Sequence, residues 1–272
     1  MKVRLQKRLP APSRRTQPSA RATVTDQVLL PGKTALVTGG AKRIGRAVAL
    51  ALAGVGVHVV LHYRNSESEA HETAGLVEAL GVQAHPIQAD LSDPIAVDRL
   101  MEQALVLGTS LDFLINSASI FPTQTLMGLT AENLDENLRV NTLAPFALSK
   151  RFFEQKREGA IVNFLDARMV DYDRLHVPYH LSKRMLHDLT RMMAVDFAPR
   201  VRVNAVAPGL ILPPEGEDQA YLEKLSSTNP LQRYGSTDGI AEAVLFLLRS
   251  GFVTGQVLYV DGGRHLHGNM YG

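Results

Sequence analysis

The amino-acid sequence predicts a single α/β domain, doubly wound, with a mostly or wholly parallel sheet of seven strands flanked by helices. Three observations predict it. From residue 32 onward, short apolar runs alternate with longer amphipathic stretches, which is typical of consecutive βαβ units. The run at residues 111–115 is apolar except for Asp112, as expected of a strand covered by helices on both faces. A glycine-rich turn, residues 38–45, separates the first predicted strand from the first predicted helix.

The elements follow in order along the chain. Strands are predicted at residues 34–37, 57–62, 84–88, 111–115, 160–164, 201–206 and 256–260. Helices are predicted at residues 44–55, 66–80, 93–107, 131–154, 179–197 and 237–248, the fourth of them bent at Pro145. Residues 210–235, with Pro213 and Pro214, are predicted to be irregular and to cover the site. No repeat or linker follows residue 31, so residues 31–272 are expected to form one domain.

The first 30 residues differ in composition from the rest. They hold seven basic residues and one acid, whereas acids outnumber bases in the remainder. The tail contains three prolines and lacks apolar periodicity, so we expect a disordered extension. An organelle transit peptide is the alternative, and the expected location is cytoplasmic unless the tail is one. The slightly acidic body predicts no nucleic-acid partner.

Two absences restrict the function further. The chain has no cysteine, which excludes disulfides, thiolate catalysis and zinc–sulfur sites, and no metal site is predicted. The longest apolar stretch, residues 47–61, is interrupted by Gly54, Gly56 and His58. It is too short to span a bilayer, so no membrane partner is predicted.

The turn at residues 38–45 is the first candidate cofactor site. Glycines let the backbone approach a pyrophosphate, and the following helix N-terminus directs N–H donors at its charge. Arg43 stands where many such turns have another glycine, so its guanidinium could reach cofactor phosphates or an electron-rich substrate. A glycine turn without a ligand is the alternative. The candidate residues are Gly39, Lys42, Arg43, Ile44 and Gly45.

The end of the second strand indicates which dinucleotide fits. An acid there would bind the ribose 2′-hydroxyl and repel a 2′-phosphate. No acid lies between the end of this strand and Glu67, and Arg64 offers a cation beside the neutral donors Asn65 and Ser66. The sequence therefore favours NADP(H) over NAD, although a lone arginine can also be a solvated charge. The candidate residues are His62, Tyr63, Arg64, Asn65 and Ser66.

Two more segments follow predicted strands at the carboxyl edge, where ligands of α/β sheets bind. Asp90 and Leu91 are candidates for contact with adenine, and a helix cap at Asp90 is the alternative. Asn116, Ser117 and Ala118 follow the fourth strand. Their small side chains leave room for a flat cofactor.

Tyr179 and Lys183 are the predicted chemical centre. At i and i+4 they lie one above the other on a helix face. The ammonium group would favour tyrosinate and lower the tyrosine pKa toward the range useful for proton transfer. The spacing alone is common, but its position after the fifth strand and downstream of the glycine turn is more specific.

Together these features resemble the short-chain dehydrogenase/reductase family, with its Rossmann-type fold, over about residues 32–264. The resemblance implies that Tyr179 donates a proton to the reduced substrate and that Lys183 binds the nicotinamide ribose. It also implies that Asn141 holds a water in the proton relay, and it suggests a homotetramer. The matching pieces are the glycine turn, Asn116-Ser117-Ala118, Asn141, Tyr179 with Lys183, Asn204, the cofactor-contacting Pro208-Gly209, and Asp261-Gly262-Gly263.

One departure from this family is informative. Asp166 stands thirteen residues before Tyr179, where the family normally has a serine that orients a carbonyl oxygen. An ionised carboxylate repels a developing oxyanion and suits an ordinary ketone poorly. It suits a substrate with N–H donors, or one whose ring nitrogen needs a proton. A capping or salt-bridged Asp166 is the alternative.

Within the family the chain looks most like pteridine reductases and dihydromonapterin reductases. The residues that carry this likeness are Arg43, His62-Tyr63, Asp166, the stretch from Asn116 to Phe121, and the ending Asp261 to Leu266. It implies that Phe121 and nicotinamide sandwich a flat pterin, and that Ser119, Arg43 and Leu210 contact it while Asp166 and Tyr179 supply its proton. Ordinary core packing of Phe121 is the alternative. Ser117 replaces a usual Asn, and Asn65 stands where an Arg often contacts the 2′-phosphate.

Three hypotheses follow. The first is an NADPH-dependent reductase of pterins such as dihydrobiopterin or dihydromonapterin, with dihydrofolate as a further substrate. The second is a reductase of a carbonyl or 3-oxoacyl substrate, which Asp166 disfavours. The third is a non-catalytic NADP(H)-binding regulator, which the intact Tyr179, Lys183 and Asn141 disfavour.

Overall fold

The structure, a computed structural model, describes residues 27–108, 110–169, 173–214 and 216–266. The tail up to residue 26, predicted to be disordered, lies outside the described residues. Strands β1 to β7 are Thr34–Thr38, His58–Tyr63, Ala84–Gln88, Phe113–Asn116, Gly159–Phe164, Val201–Pro208 and Val257–Val260. Helices α1 to α8 are Arg43–Gly54, Glu67–Ala79, Pro94–Leu107, Ala131–Leu138, Ala144–Glu154, Val177–Asp196, Gln219–Leu225 and Thr237–Arg249.

All seven strands form one sheet in the order β3-β2-β1-β4-β5-β6-β7, and every neighbouring pair is parallel. The predicted Rossmann-type fold is thereby confirmed. The strand order reverses between β1 and β4, which opens a crevice at the carboxyl ends of these strands. The glycine turn after β1 and residues 117–121 after β4 lie at this crevice.

The sheet is buried on both faces. Val37 and Ile115 pack on one face with α1 and α8, and Leu36 and Leu114 pack on the other with α3, α5 and α6. Because helices cover both sides, consecutive residues in the centres of these strands, such as Leu36 and Val37, are apolar. Leu30, in the segment before β1, is also buried in the core, and the Val28 N–H donates to the Arg249 carbonyl at 2.9 Å. The prediction that the disordered extension reaches residue 30 is therefore wrong for residues 28–30, which pack on the domain.

The structure differs from the predicted elements in two places. The predicted helix 131–154 is divided into α4 and α5 by a π-helical turn, Arg139–Leu143, which carries Asn141. The Ala144 N–H bonds to the Arg139 carbonyl, so the distortion precedes Pro145 instead of centring on it. Residues 210–235, predicted to be irregular, contain α7 and a 3₁₀ turn, Ser226–Thr228. Helices this short leave too few turns for a periodic pattern.

None of the helices within the described ranges is long and apolar enough to cross a membrane.

Candidate active site

The glycine turn between β1 and α1 is tightly folded. Gly39 has φ 65° and Arg43 has φ 56°, both in the left-handed region. A Cβ added at Gly45 would lie 2.0 Å from the Gly39 carbonyl oxygen, so only glycine fits there. This close approach leaves the start of α1 open to a ligand, as a pyrophosphate site requires.

His62 lies beneath this turn. Its Nδ1 accepts a hydrogen bond from the Gly39 N–H at 3.1 Å, and its Nε2 lies 3.0 Å from the Ala89 carbonyl oxygen. Burial lowers its pKa to about 4, so the ring is neutral and Nε2 carries the proton that Ala89 accepts. His62 is a predicted cofactor contact, but in the structure its buried ring supports the turn from below.

The basic residues predicted to meet the cofactor surround the same crevice. The Arg43 guanidinium donates to the Pro213 carbonyl at 2.7 Å, which ties the turn to the segment after β6. Arg64 is exposed at the end of β2. The pKa of Asp90 lies below its usual value because the Ser92 N–H donates to it, and the charge of Arg64 contributes.

The other predicted residues at this edge divide into exposed and buried ones. Asn65 is exposed and Ser66 is half-buried ahead of α2. Tyr63 is buried in a small cluster with Ala41 and Ala70. Leu91 belongs to the core on the α3 side of the sheet. Arg64, Asn65 and Asp90 are therefore the side chains of this group most open to a ligand.

The segment after β4 is fastened to β1. The N–H groups of Ser117 and Ala118 both donate to Thr38 Oγ1, at 3.0 and 3.1 Å. The Asn116 side chain turns inward, where its amide donates to Asn163 Oδ1 at 2.8 Å. Its contribution to the site is thus to connect β4 with β5, and the backbone of residues 117–118 lines the crevice.

Asp166, Tyr179 and Lys183 come together at the carboxyl ends of β5 and β6. The Tyr179 hydroxyl donates to Asp166 Oδ2 at 3.0 Å. Asp166 Oδ1 accepts the Arg168 N–H at 2.7 Å, which orients the carboxylate. The Lys183 Nζ donates to the Phe164 carbonyl at 2.8 Å and lies 5.6 Å from the Tyr179 ring centroid. The three side chains form one connected site.

The predicted lowering of the Tyr179 pKa is wrong for this arrangement. Burial and the neighbouring Asp166 carboxylate raise that pKa well above its usual value, since both disfavour a tyrosinate. Burial also lowers the pKa of Lys183 to about 8, with Asp166 acting in the opposite direction. At neutral pH the tyrosine thus holds its proton, and the lysine is mostly charged.

Asn141 connects three parts of the site. Its side-chain Oδ1 accepts the Ile120 N–H at 2.9 Å and the Ser119 hydroxyl at 3.1 Å. Its Nδ2 donates to the Ile120 carbonyl and to Ser182 Oγ, at 3.0 and 3.1 Å. The π-helical turn thereby joins the segment after β4 to the helix that carries Tyr179.

Phe121 extends from this segment toward Tyr179. The two rings meet edge to face, with centroids 4.5 Å apart, and Phe121 remains 49% exposed. Sequence reasoning missed its other neighbour, His176, whose ring stacks on Phe121 at 3.9 Å. The sequence shows only that His176 and His180 are four residues apart at the start of α6. This spacing does not predict a contact between His176 and Phe121, which belongs to a distant loop.

The segment after β6 forms the far side of the site. Pro208 and Gly209 are half-buried, and Leu210 is buried. A Cβ at Gly209 would lie 2.5 Å from the Asp261 Cβ, so glycine allows β6 to pack against the end of β7. These residues border the crevice opposite the glycine turn.

Comparisons with known proteins agree with this architecture. A family model described as enoyl-(acyl carrier protein) reductase matches residues 39–265. The 3-oxoacyl-[acyl-carrier-protein] reductase of Aquifex aeolicus is 32% identical over 248 residues, 87% of this chain and 99% of its own.

Two solved structures superpose on this chain over most of its length. The alternative dihydrofolate reductase 1 from Brucella canis, complexed with NADP, is 33% identical with a TM-score of 0.81, covering 88% of this chain and 96% of that one. A short-chain dehydrogenase from Burkholderia cenocepacia, also in complex with NADP, is 34% identical with a TM-score of 0.81, covering 87% and 99%.

Proposed function

The chain belongs to the short-chain dehydrogenase/reductase family, and on that premise we propose that it is an NADPH-dependent reductase of pterins. Dihydrobiopterin-like or dihydromonapterin-like compounds are the proposed substrates, with dihydrofolate as a further one. The observation that carries the proposal is the 3.0 Å hydrogen bond between the Tyr179 hydroxyl and Asp166. It brings a carboxylate to the hydroxyl that we propose as the proton donor, at a position where the family normally has a serine.

NADP(H) fits the residues at the crevice. The glycine turn, which a Cβ at Gly45 would fill, suits a pyrophosphate. Exposed Arg64, with Lys42 and Arg43 on the turn, suits a 2′-phosphate, and Lys183 would hold the nicotinamide ribose. The Brucella and Burkholderia structures contain NADP, which supports the same cofactor here. Bound NADPH would supply the hydride.

Tyr179 supplies the proton. Its raised pKa keeps the hydroxyl protonated at neutral pH, ready for donation to a ring nitrogen made basic by reduction. Lys183, 5.6 Å from the ring centroid, stabilises the tyrosinate that remains after the proton leaves. The Asp166 carboxylate accepts hydrogen bonds from the N–H groups of the substrate.

The shape of the site favours a flat ring. Phe121 is half-exposed beside Tyr179, and its ring can stack on a planar heterocycle. Ser119 and Arg43 would provide polar contacts at the ring edges, and Leu210 an apolar one. A pterin matches this combination of an aromatic wall, a carboxylate and a proton donor.

NADPH consumption tests the proposal directly. Dihydrobiopterin, dihydromonapterin and dihydrofolate are compared with ethyl acetoacetate as a simple ketone. We expect oxidation of NADPH with the pterins, and a loss of roughly 100-fold or more in Tyr179→Phe with NADPH binding retained. Asp166→Ser should shift the preference toward the ketone. Activity confined to ketones would refute the pterin assignment.

A carbonyl or 3-oxoacyl reductase is the second candidate. The matching family model and the Aquifex relative both have names that describe acyl-carrier-protein substrates. Asp166 opposes this reading, because a carboxylate next to the carbonyl would repel its developing negative charge. The same assay distinguishes the two candidates.

We further propose that the protein is a homotetramer. Helix α6 exposes a set of apolar side chains that a second subunit could cover: Leu181, Met185, Met192 and Val195. Size-exclusion chromatography with light scattering should give four times the chain mass. Val195→Glu should lower the measured mass, whereas Leu80→Glu, at the C-terminal end of α2, should leave it unchanged. A monomeric unsubstituted protein would refute the proposal.

A further inference from the structure

A polar cluster beside Tyr179 has no part in the chemistry proposed above. It consists of Asp173, His176 and His180, and Asp173 is at its centre. Asp173 Oδ1 accepts the N–H groups of Leu175 and His176 at 2.7 and 3.2 Å. Asp173 Oδ2 lies 3.1 Å from His176 Nδ1 and 3.5 Å from His180 Nε2. The Asp173 side chain is only 11% exposed, and the Arg168 guanidinium lies 3.7 Å from the same Oδ2 atom as a weaker ion-pair partner.

Three aromatic rings connect this cluster to the proton donor. The His176 ring lies flat on Phe121, with centroids 3.9 Å apart and planes inclined by 13°. Phe121 in turn meets the Tyr179 ring at 4.5 Å and 86°. The Asp173 carboxylate therefore holds the ring that supports the aromatic wall of the site.

The backbone holds the same two segments together. The Val177 N–H donates to the Gln124 carbonyl at 3.0 Å, and the Gln124 N–H donates to the Leu175 carbonyl at 2.5 Å. These bonds fix the distance between the loop that carries Phe121 and the start of α6. These backbone bonds do not set the orientation of the His176 ring, which depends on the hydrogen bond between its Nδ1 and the Asp173 carboxylate.

We infer that Asp173 is a positioning residue: by holding His176 Nδ1 it keeps the imidazole parallel to Phe121 and keeps Phe121 in place to stack on a flat substrate ring. The inference rests on the proposed function. A half-exposed phenylalanine in a loop would otherwise sample several rotamers, and ordering it at the moment of binding weakens affinity. Asp173 touches neither the reacting atoms nor Tyr179, so its effect belongs in substrate binding.

A double-mutant cycle between Asp173 and His176 tests this. Asp173→Asn removes the carboxylate, and His176→Phe keeps a ring of similar size that cannot donate to Asp173. We expect each variant to raise KM for dihydrobiopterin roughly two- to tenfold, with kcat within about twofold. The double variant should be no worse than either single one, because both remove the same interaction. Asp188→Asn is the matched control, since exposed Asp188 makes the same kind of bond to half-buried His187, and both lie on α6.

The outcomes separate the alternatives. A KM effect in both variants that is non-additive, and absent from Asp188→Asn, supports the inference. An unchanged KM in His176→Phe, or additive effects of the two substitutions, would overturn the inference. If Asp173→Asn does not fold, the KM of His176→Phe alone decides the question. The proposed function is judged separately, on the unsubstituted protein: without turnover of dihydrobiopterin there, that function fails, and this inference with it.

Discussion

Replacement of Gly45 by alanine should disable the cofactor site while leaving the rest of the fold in place. The added Cβ would lie 2.0 Å from the Gly39 carbonyl oxygen and 2.8 Å from its carbon, whereas Cβ atoms hardly ever approach other atoms within 3.0 Å. The turn must therefore open. Overpacking of this kind costs about 1–3 kcal/mol. If the turn opens to relieve the clash, NADPH binding must close it again at this energetic cost. The affinity for NADPH then falls roughly 5- to 150-fold.

Gly54 provides a control in the same helix. A Cβ there would meet no atom within 4 Å, so Gly54→Ala should leave NADPH binding unchanged and, at this last position of α1, should not lower Tm. Titration of both variants with NADPH, followed by calorimetry, gives the two dissociation constants, and Tm reports the fold. Equal affinity of Gly45→Ala and the unsubstituted protein would refute the assignment of this turn to the cofactor.

Three further predictions concern charge. As pH rises through about 8, kcat/KM for NADPH should fall, because Lys183 loses its proton. Lys183→Arg stays charged throughout this range, so its kcat/KM should not show this fall. The pKa of His62 drops from 6.5 to about 4 on folding, so between these pH values the unfolded chain binds a proton that the folded chain does not. The free energy of unfolding should therefore fall by about 3 kcal/mol as pH is lowered from 6.5 to 4. Urea unfolding of the unsubstituted protein and His62→Gln, whose stability should vary less, checks this. Arg64→Glu should weaken NADPH binding roughly tenfold or more with NADH binding unharmed; an equal loss for both would contradict the 2′-phosphate assignment.

Much of the architecture could be predicted because it depends on local pattern. The apolar runs located all seven strands to within about two residues, and the Tyr179/Lys183 spacing placed both side chains on one helix face. The π-helical turn at Asn141 and the short helix α7 were missed, since neither produces a periodic signal long enough to detect.

The site depended more on distant contacts. Asp166 stood out because it departs from a family pattern, but its hydrogen bond to Tyr179 is visible only in the folded chain. His62 and Asn116 stand at the expected strand ends, yet both turn inward and bond to neighbouring strands and loops. The proposed role of Asp173 could not be anticipated, because it depends on the stacking of His176 on Phe121, about 55 residues earlier in the chain.

The sequence by itself determined the α/β class, the parallel sheet, the glycine turn and the placement of Tyr179 and Lys183 on one helix face. These follow from periodicity and short-range spacing, which the chain carries before it folds. Only the tertiary structure decided which polar residues face the crevice, and in which direction the pKa of Tyr179 moves. Burial and the approach of Asp166 set that direction, and both exist only once β5 and α6 are packed together.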